Sequence, residues 1–186
     1  IQNKGVELNV LTNSRASTPN YLAFSVYLNY RKKIVESGAR VYEYHGEHSI
    51  HTKAYGTDDD MSLIGSFNLD PRSSFLSTET MVVIHSKDVK NQLDDLTNDY
   101  VQKSLRIGDN DKYMIDDNSI DERNVNIYKE MMLKIIGFFG RFFENPTTKL
   151  SSNIFIPLRI PGTFYYICIS YVPIGIYIKI NFYYKF

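Results

Sequence analysis

The spacing of apolar residues predicts alternating strands and helices along the first hundred residues. Val6 to Leu11 reads as a short apolar strand, followed by a polar loop from Thr12 to Asn20. Tyr21 to Ser37 then carries Leu22, Val26, Tyr30 and Ile34 at helical spacing. Arg31, Lys32 and Lys33 fall late in that helix, where cations complement its dipole, and Gly38 stops it. Strands are predicted at Arg40–Tyr44, around Ile50–Tyr55, at Met61–Ile64 beyond a turn through Gly56–Asp60, and at Thr80–Ile84. Asp88 to Ser104 returns to a helical period. This order predicts an α/β fold: a mixed β-sheet flanked by helices on both faces, occupying residues 1–107.

The pattern changes after Gly108. Residues 108–125 are acidic and polar with no apolar period, which reads as a linker. Residues 126–145 form an amphipathic helix in which Met131, Leu133, Ile135, Phe138 and Phe142 alternate with Lys129, Lys134 and Arg141. Such a helix suits an anionic membrane surface or, more commonly, packing against a core. Residues 146–186 are a low-complexity apolar tail of Ile, Tyr, Phe, Asn and Lys, with Pro157, Pro161 and Pro173 scattered through it. Gly162–Ile178 lacks formal charge, but Pro173 and the many β-branched residues argue against a membrane span. A non-native or poorly packed segment is the expectation there.

Charge and cysteine content narrow the classes. The 21 basic residues balance 21 acidic ones, so no global field draws nucleic acid, and none is favoured as a partner. The single cysteine, Cys168, excludes an internal disulfide and a Cys-rich metal site. The chain opens on Ile1-Gln2-Asn3-Lys4-Gly5, without Met or a signal peptide, which suggests a fragment lacking its upstream part.

The chemistry concentrates between His51 and Glu79. His51, Lys53 and Asp58 stand in the order His-x-Lys-x4-Asp, and Gly65-Ser66-Phe67-Asn68 follows after six residues. On a strand, residues two apart share a face, so His51 and Lys53 would present an imidazole beside an ammonium. An imidazole serves as nucleophile or general acid, and a fixed cation beside it stabilises phosphoryl oxygens. Gly65 permits close backbone approach, while Ser66 and Asn68 add neutral donors to the same anion. Taken singly, each residue is an ordinary turn or surface residue. Their joint spacing is what signals a site.

That spacing resembles the HKD motif of the phospholipase D superfamily. The flanks Gly65-Ser66-Phe67-Asn68-Leu69-Asp70-Pro71-Arg72-Ser73 and Ser77-Thr78-Glu79 resemble the C-terminal half of bacterial cardiolipin synthase-like members. So do Leu11-Thr12-Asn13-Ser14, Tyr27-x-x-Tyr30-Arg31 and Gly38. The resemblance covers about residues 5–105 and fades by about 145. It implies transfer or hydrolysis of a phosphodiester on a phospholipid, such as phosphatidylglycerol, through a phosphohistidine. In that scheme His51 is one of two reacting histidines, and Lys53, Ser66 and Asn68 hold the phosphate. Glu79 orients an HKD histidine, and Asp58 is structural or acts from behind the site. The resemblance implies no metal and no cofactor, because lysines and neutral donors carry the charge stabilisation. It also implies a peripheral association with the membrane surface, in the bacterial cell envelope or from the cytoplasm.

One departure matters. Family members of this type unite two HKD motifs in one site, and this sequence carries one. His45 and His48 are followed two residues on by Glu47 and Ile50, and His85-Ser86-Lys87 meets Gln92 where Asp is required. Three readings follow. The chain is one lobe of a phosphatidyltransferase that needs a second HKD lobe, a homodimeric one-motif phosphodiesterase or nuclease, or a catalytically silent lobe that binds phosphate or membrane.

Overall fold

The structure is a computed structural model and describes residues 6–57, 60–68, 73, 78–116, 119–143, 155–160, 163–168 and 177–182. Strand β1 (Val6–Asn13) leads into helix α1 (Tyr21–Glu36) and strand β2 (Arg40–Tyr44). Strands β3 (Ala54–Thr57), β4 (Met61–Gly65) and β5 (Met81–His85) precede helix α2 (Lys87–Gln102) and the short strand β6 (Ser104–Arg106). Helix α3 (Ile127–Phe143) and strands β7 (Phe155–Ile160), β8 (Thr163–Cys168) and β9 (Tyr177–Phe182) complete the order.

Local chemistry sets the helix ends. Asn20 caps α1 by accepting a hydrogen bond from the Ala23 N–H, and Ser86 does the same for α2 from Val89. Beyond α1, Gly38 adopts φ 92°, a left-handed conformation that glycine takes without steric cost.

Seven strands form one mixed sheet in the order β5-β4-β3-β9-β1-β2-β6. β1 runs parallel to β2, whereas β9 is antiparallel to β1 and parallel to β3. The C-terminal ends of β1 and β2 therefore share an edge of the sheet with the start of β3. β7 and β8 make a separate antiparallel pair. Composition alone predicts no strand beyond residue 145, yet β7, β8 and β9 lie there, and β9 fills the position between β1 and β3.

Successive residues along the strands feed two cores, as period-two alternation requires. Val10, Val41 and Tyr55 pack with Phe24, Tyr27 and Val35 of α1 and with Leu133 of α3. Leu11, Tyr44 and Ala54 pack on the other face with Ile50 and Leu93 of α2. The predicted α/β architecture, with helices on both faces, is thus the observed one. Burying each large side chain in such a core contributes roughly 1.5–3 kcal/mol.

The amphipathic helix α3 packs against α1. The Ser25 hydroxyl donates to the Leu133 carbonyl at 3.0 Å, and Lys129 Nζ donates to the carbonyls of Ala16 at 3.2 Å and Thr18 at 2.8 Å. Its opposite side leaves Ile127, Met131 and Ile135 exposed. Among the described residues no helix is long and apolar enough to cross a membrane.

Arg31 departs from the expectation that it sits as a cation at a helix end. It turns inward, 7% exposed, and its guanidinium pairs with Glu43 at 2.9 Å and Asp111 at 2.8 Å. Glu43 is fully buried and also accepts the Tyr27 hydroxyl at 2.9 Å and the Tyr113 hydroxyl. Burial, reinforced by the Glu43 carboxylate, pushes the Tyr27 hydroxyl well above its ordinary pKa. Tyr27 and Arg31 are one helical turn apart, so both reach one carboxylate on β2. Asp111, Tyr113 and Arg123 belong to the acidic stretch 108–125, and they fasten it to α1, to β2 and to the loop after β2.

Candidate active site

His51 and Lys53 lie just before β3 rather than within it, because the regular ladder begins at Ala54. The strand expected around Ile50–Tyr55 instead runs from Ala54 to Thr57, into the expected turn, yet the two side chains still meet. Lys53 Nζ lies 2.9 Å from His51 Nε2 and donates to the His51 carbonyl oxygen, also at 2.9 Å. An ammonium has hydrogens to give and no lone pair, so Nε2 accepts and a neutral ring carries its proton on Nδ1. His51 is exposed, whereas Lys53 is 8% exposed. A buried ammonium is costly unless it is hydrogen-bonded, and these contacts help satisfy it.

The second half of the motif arrives through the β3–β4 hairpin. Ala54 pairs with Ile64, and the Gly65 N–H donates to the Lys53 carbonyl at 3.1 Å, which carries the pairing one step toward His51. The Tyr55 hydroxyl donates to the Phe67 carbonyl at 2.8 Å and holds the segment Ser66–Asn68 against β3. Gly65 faces β5 so closely that a Cβ there would stand 2.1 Å from the Thr80 carbonyl oxygen. The glycine of the motif is therefore a packing requirement.

Ser66 and Glu79 form a second linked pair. Ser66 Oγ donates to Glu79 Oε2 at 2.5 Å and accepts from the Thr80 N–H at 3.0 Å. The resemblance implies that Glu79 orients an HKD histidine. Asn68 is half-buried, with its Nδ2 3.5 Å from Ser73 Oγ. Asp58 lies outside the described residues. The arrangement offers an exposed imidazole with an ammonium at its reactive nitrogen, and a hydroxyl and an amide on the adjoining turn. Such a set binds an oxyanion and can deliver a nitrogen nucleophile or a proton to it.

Motif reading misses two buried polar residues, of which Asn13 bears on the site. Asn13, fully buried at the end of β1, hydrogen-bonds both backbone groups of Ile50, the residue before His51. His45 is 3% exposed, accepts the Arg123 N–H at Nδ1, and packs edge-on against Tyr113. Burial lowers its pKa below 6.5, and Arg123 and Arg15 lower it further against the pull of Glu43. Only the Leu11–Ser14 resemblance hinted at Asn13.

The sequence profile of the family described as "Cardiolipin synthase, PLD-like domain" matches residues 1–100. The chain belongs to this family. It is 32% identical over 108 residues to cardiolipin synthase C of Escherichia coli, covering 49% of this chain and 23% of that protein. It is 28% identical over 104 residues to cardiolipin synthase A of Proteus mirabilis, covering 56% of this chain and 21% of the other. An uncharacterised protein of Helicobacter pylori is 36% identical over 117 residues, covering 56% of this chain and 23% of its own length. The chain thus spans less than a quarter of these relatives. No solved structure matches it. The matched region runs from β1 through most of α2, and so contains the whole His51–Glu79 segment.

Proposed function

We propose that this chain is one lobe of a phosphatidyltransferase or phosphodiesterase acting on phospholipids. The observation that carries the reading is the contact of Lys53 Nζ with His51 Nε2, with Ser66 and Asn68 on the adjoining turn. In the proposed reaction the Nε2 lone pair of His51 attacks phosphorus, and the bond from phosphorus to the head-group oxygen breaks. The leaving alkoxide takes a proton from the histidine of a second HKD motif. That histidine then deprotonates an incoming alcohol or water, whose oxygen attacks phosphorus and breaks the phosphorus–nitrogen bond. Asn68 holds a phosphoryl oxygen; as Nε2 reacts, the Lys53 ammonium turns from nitrogen to oxygen, and the Ser66 hydroxyl joins them by turning from Glu79. The acceptor being the free hydroxyl of phosphatidylglycerol gives cardiolipin; water gives hydrolysis. Glu79 supports the site through Ser66, and the resemblance gives Asp58 a supporting role.

The second histidine comes from a companion HKD lobe, or from a second copy of this chain across a twofold axis. The names of the cardiolipin synthases it resembles support a phospholipid substrate over nucleic acid, as does the zero net charge. Exposed Ile127, Met131 and Ile135 on α3 support contact with a membrane surface.

The test is release of head group and formation of cardiolipin from phosphatidylglycerol vesicles, with and without EDTA, beside His51→Ala. Activity that survives EDTA and vanishes in the variant supports histidine chemistry and a homodimer. Without activity in the isolated chain, addition of a companion HKD lobe restores it under this reading. Failure to restore it leaves the silent phosphate-binding lobe as the better account.

A further inference from the structure

His51 belongs to no helix or strand, so nothing in a regular ladder fixes its backbone. Its neighbours do. On one side Lys53 is buried and tied to β4 through the Gly65 N–H. On the other side Ile50 packs its side chain among Leu11, Tyr44, Ala54 and Leu93. Among the described residues no strand pairs with the Ile50 backbone; the side chain of Asn13 takes that place. Asn13 Nδ2 donates to the Ile50 carbonyl at 2.8 Å, and Asn13 Oδ1 accepts the Ile50 N–H at 2.8 Å. The carboxamide thus supplies the donor and acceptor that a neighbouring strand would.

The orientation of that amide is itself held. Ser17 Oγ lies 3.2 Å from Asn13 Oδ1 and donates to the Tyr44 carbonyl at 2.7 Å. Reversing the amide would set its NH2 against the Ile50 N–H, donor to donor. Asn13 itself is fully buried, so water is a poor substitute for either bond.

We infer that Asn13 is a positioning residue for His51, acting through the Ile50 backbone to fix where the imidazole stands beside Lys53. The inference rests on the reading of His51 as the reacting residue. It assigns Asn13 no contact with substrate. A polar residue at the end of β1, about forty residues before the motif in sequence, thereby becomes part of the same device.

The experiment compares nuclear magnetic resonance signals of His51 and His85 in the full chain, in the unsubstituted protein, Asn13→Ala and Asn13→Asp, during titration with inorganic phosphate. His85 ends β5 and serves as the internal control. In Asn13→Ala the His51 amide and imidazole signals shift while His85 stays, and phosphate binding weakens about tenfold, the scale of one lost buried hydrogen bond. Asn13→Asp keeps the acceptor for the Ile50 N–H and loses the donor, so it shifts His51 less. Unmoved His51 signals in either folded variant would overturn the inference. So would equal movement of His51 and His85, which marks a general scaffold role. Should Asn13→Ala fail to fold, Asn13→Asp decides alone; if that also fails to fold, Asn13 is a scaffold residue and the inference falls. If phosphate leaves His51 unperturbed in the unsubstituted protein, the proposed function fails, while the comparison of His51 signals still decides the role of Asn13.

Discussion

Lys53 Nζ sits 2.9 Å from His51 Nε2, at the end of a side chain that is otherwise buried. Under the proposed reaction the ammonium thus waits at the nitrogen that would bond phosphorus. Lys53→Met keeps the apolar stem and removes the charge. It is expected to lower turnover by about 100–1,000-fold, the range for loss of one preorganised oxyanion donor, with little change in melting temperature. Lys53→Arg should not restore activity, because a planar guanidinium cannot occupy a site shaped for a compact ammonium. Head-group release by the chain paired with its companion lobe, read beside a melting curve, checks both outcomes.

Gly65 gives a sharper structural test. A Cβ at this position would meet the Thr80 backbone oxygen at 2.1 Å and the Met81 Cα at 2.9 Å, both main-chain atoms of the neighbouring segment. Relief requires β4 and β5 to part where Ser66 Oγ accepts the Thr80 N–H. Gly65→Ala is expected to cost about 1–3 kcal/mol, as overpacking does, and to move Ser66 away from Glu79. Denaturant unfolding measures the first. Wild-type stability in this variant would sink the account.

Much of this was legible from residue spacing, and the failures have physical causes. Period and punctuation located α1, β2 and β4 closely, because Asn20 and Gly38 mark boundaries through local chemistry; the turn expected from Gly56 was placed too early, since β3 runs on to Thr57. The motif was legible because strand-like spacing survives where the ladder itself does not begin until Ala54. Arg31 was misread because a cation late in a helix has a local explanation, and its real partners, Glu43 and Asp111, are distant in sequence. Asn13 was hidden for the same reason: its partner is 37 residues away. β6 was hidden by its three-residue length, and β9 by composition that resembles its surroundings.

The Glu43 network predicts a large stability effect away from the site. Glu43 receives Arg31, Tyr27 and Tyr113 without any exposure to solvent. Glu43→Ala takes the buried partner from a guanidinium that keeps Asp111, and it strands two hydroxyls. The expected loss is about 3–5 kcal/mol, the cost of breaking a buried ion pair from one side. Replacing Arg31 and Glu43 together by apolar residues should recover part of it, because neither buried charge then remains and Asp111, which loses Arg31, is one-third exposed to water. Equilibrium unfolding of the two single variants and the double variant closes the cycle.

His45 sets the last expectation, a dependence of stability on pH. Burial is the first cause holding its folded-state pKa below 6.5, with Arg123 and Arg15 adding to it against Glu43. Above 6.5 the ring is neutral in folded and unfolded chains alike, so it adds no slope. As pH falls below 6.5 the unfolded chain takes up a proton that the folded chain still refuses. Stability is therefore lost progressively on acidification, until the folded-state value is also passed. His45→Gln removes the titrating group while retaining a polar side chain. Its melting temperature should fall less than that of the unsubstituted protein between pH 7.5 and about pH 5, even if it begins lower for want of the Tyr113 contact. Parallel curves for the two proteins would mean that the ring at position 45 takes up its proton as readily folded as unfolded.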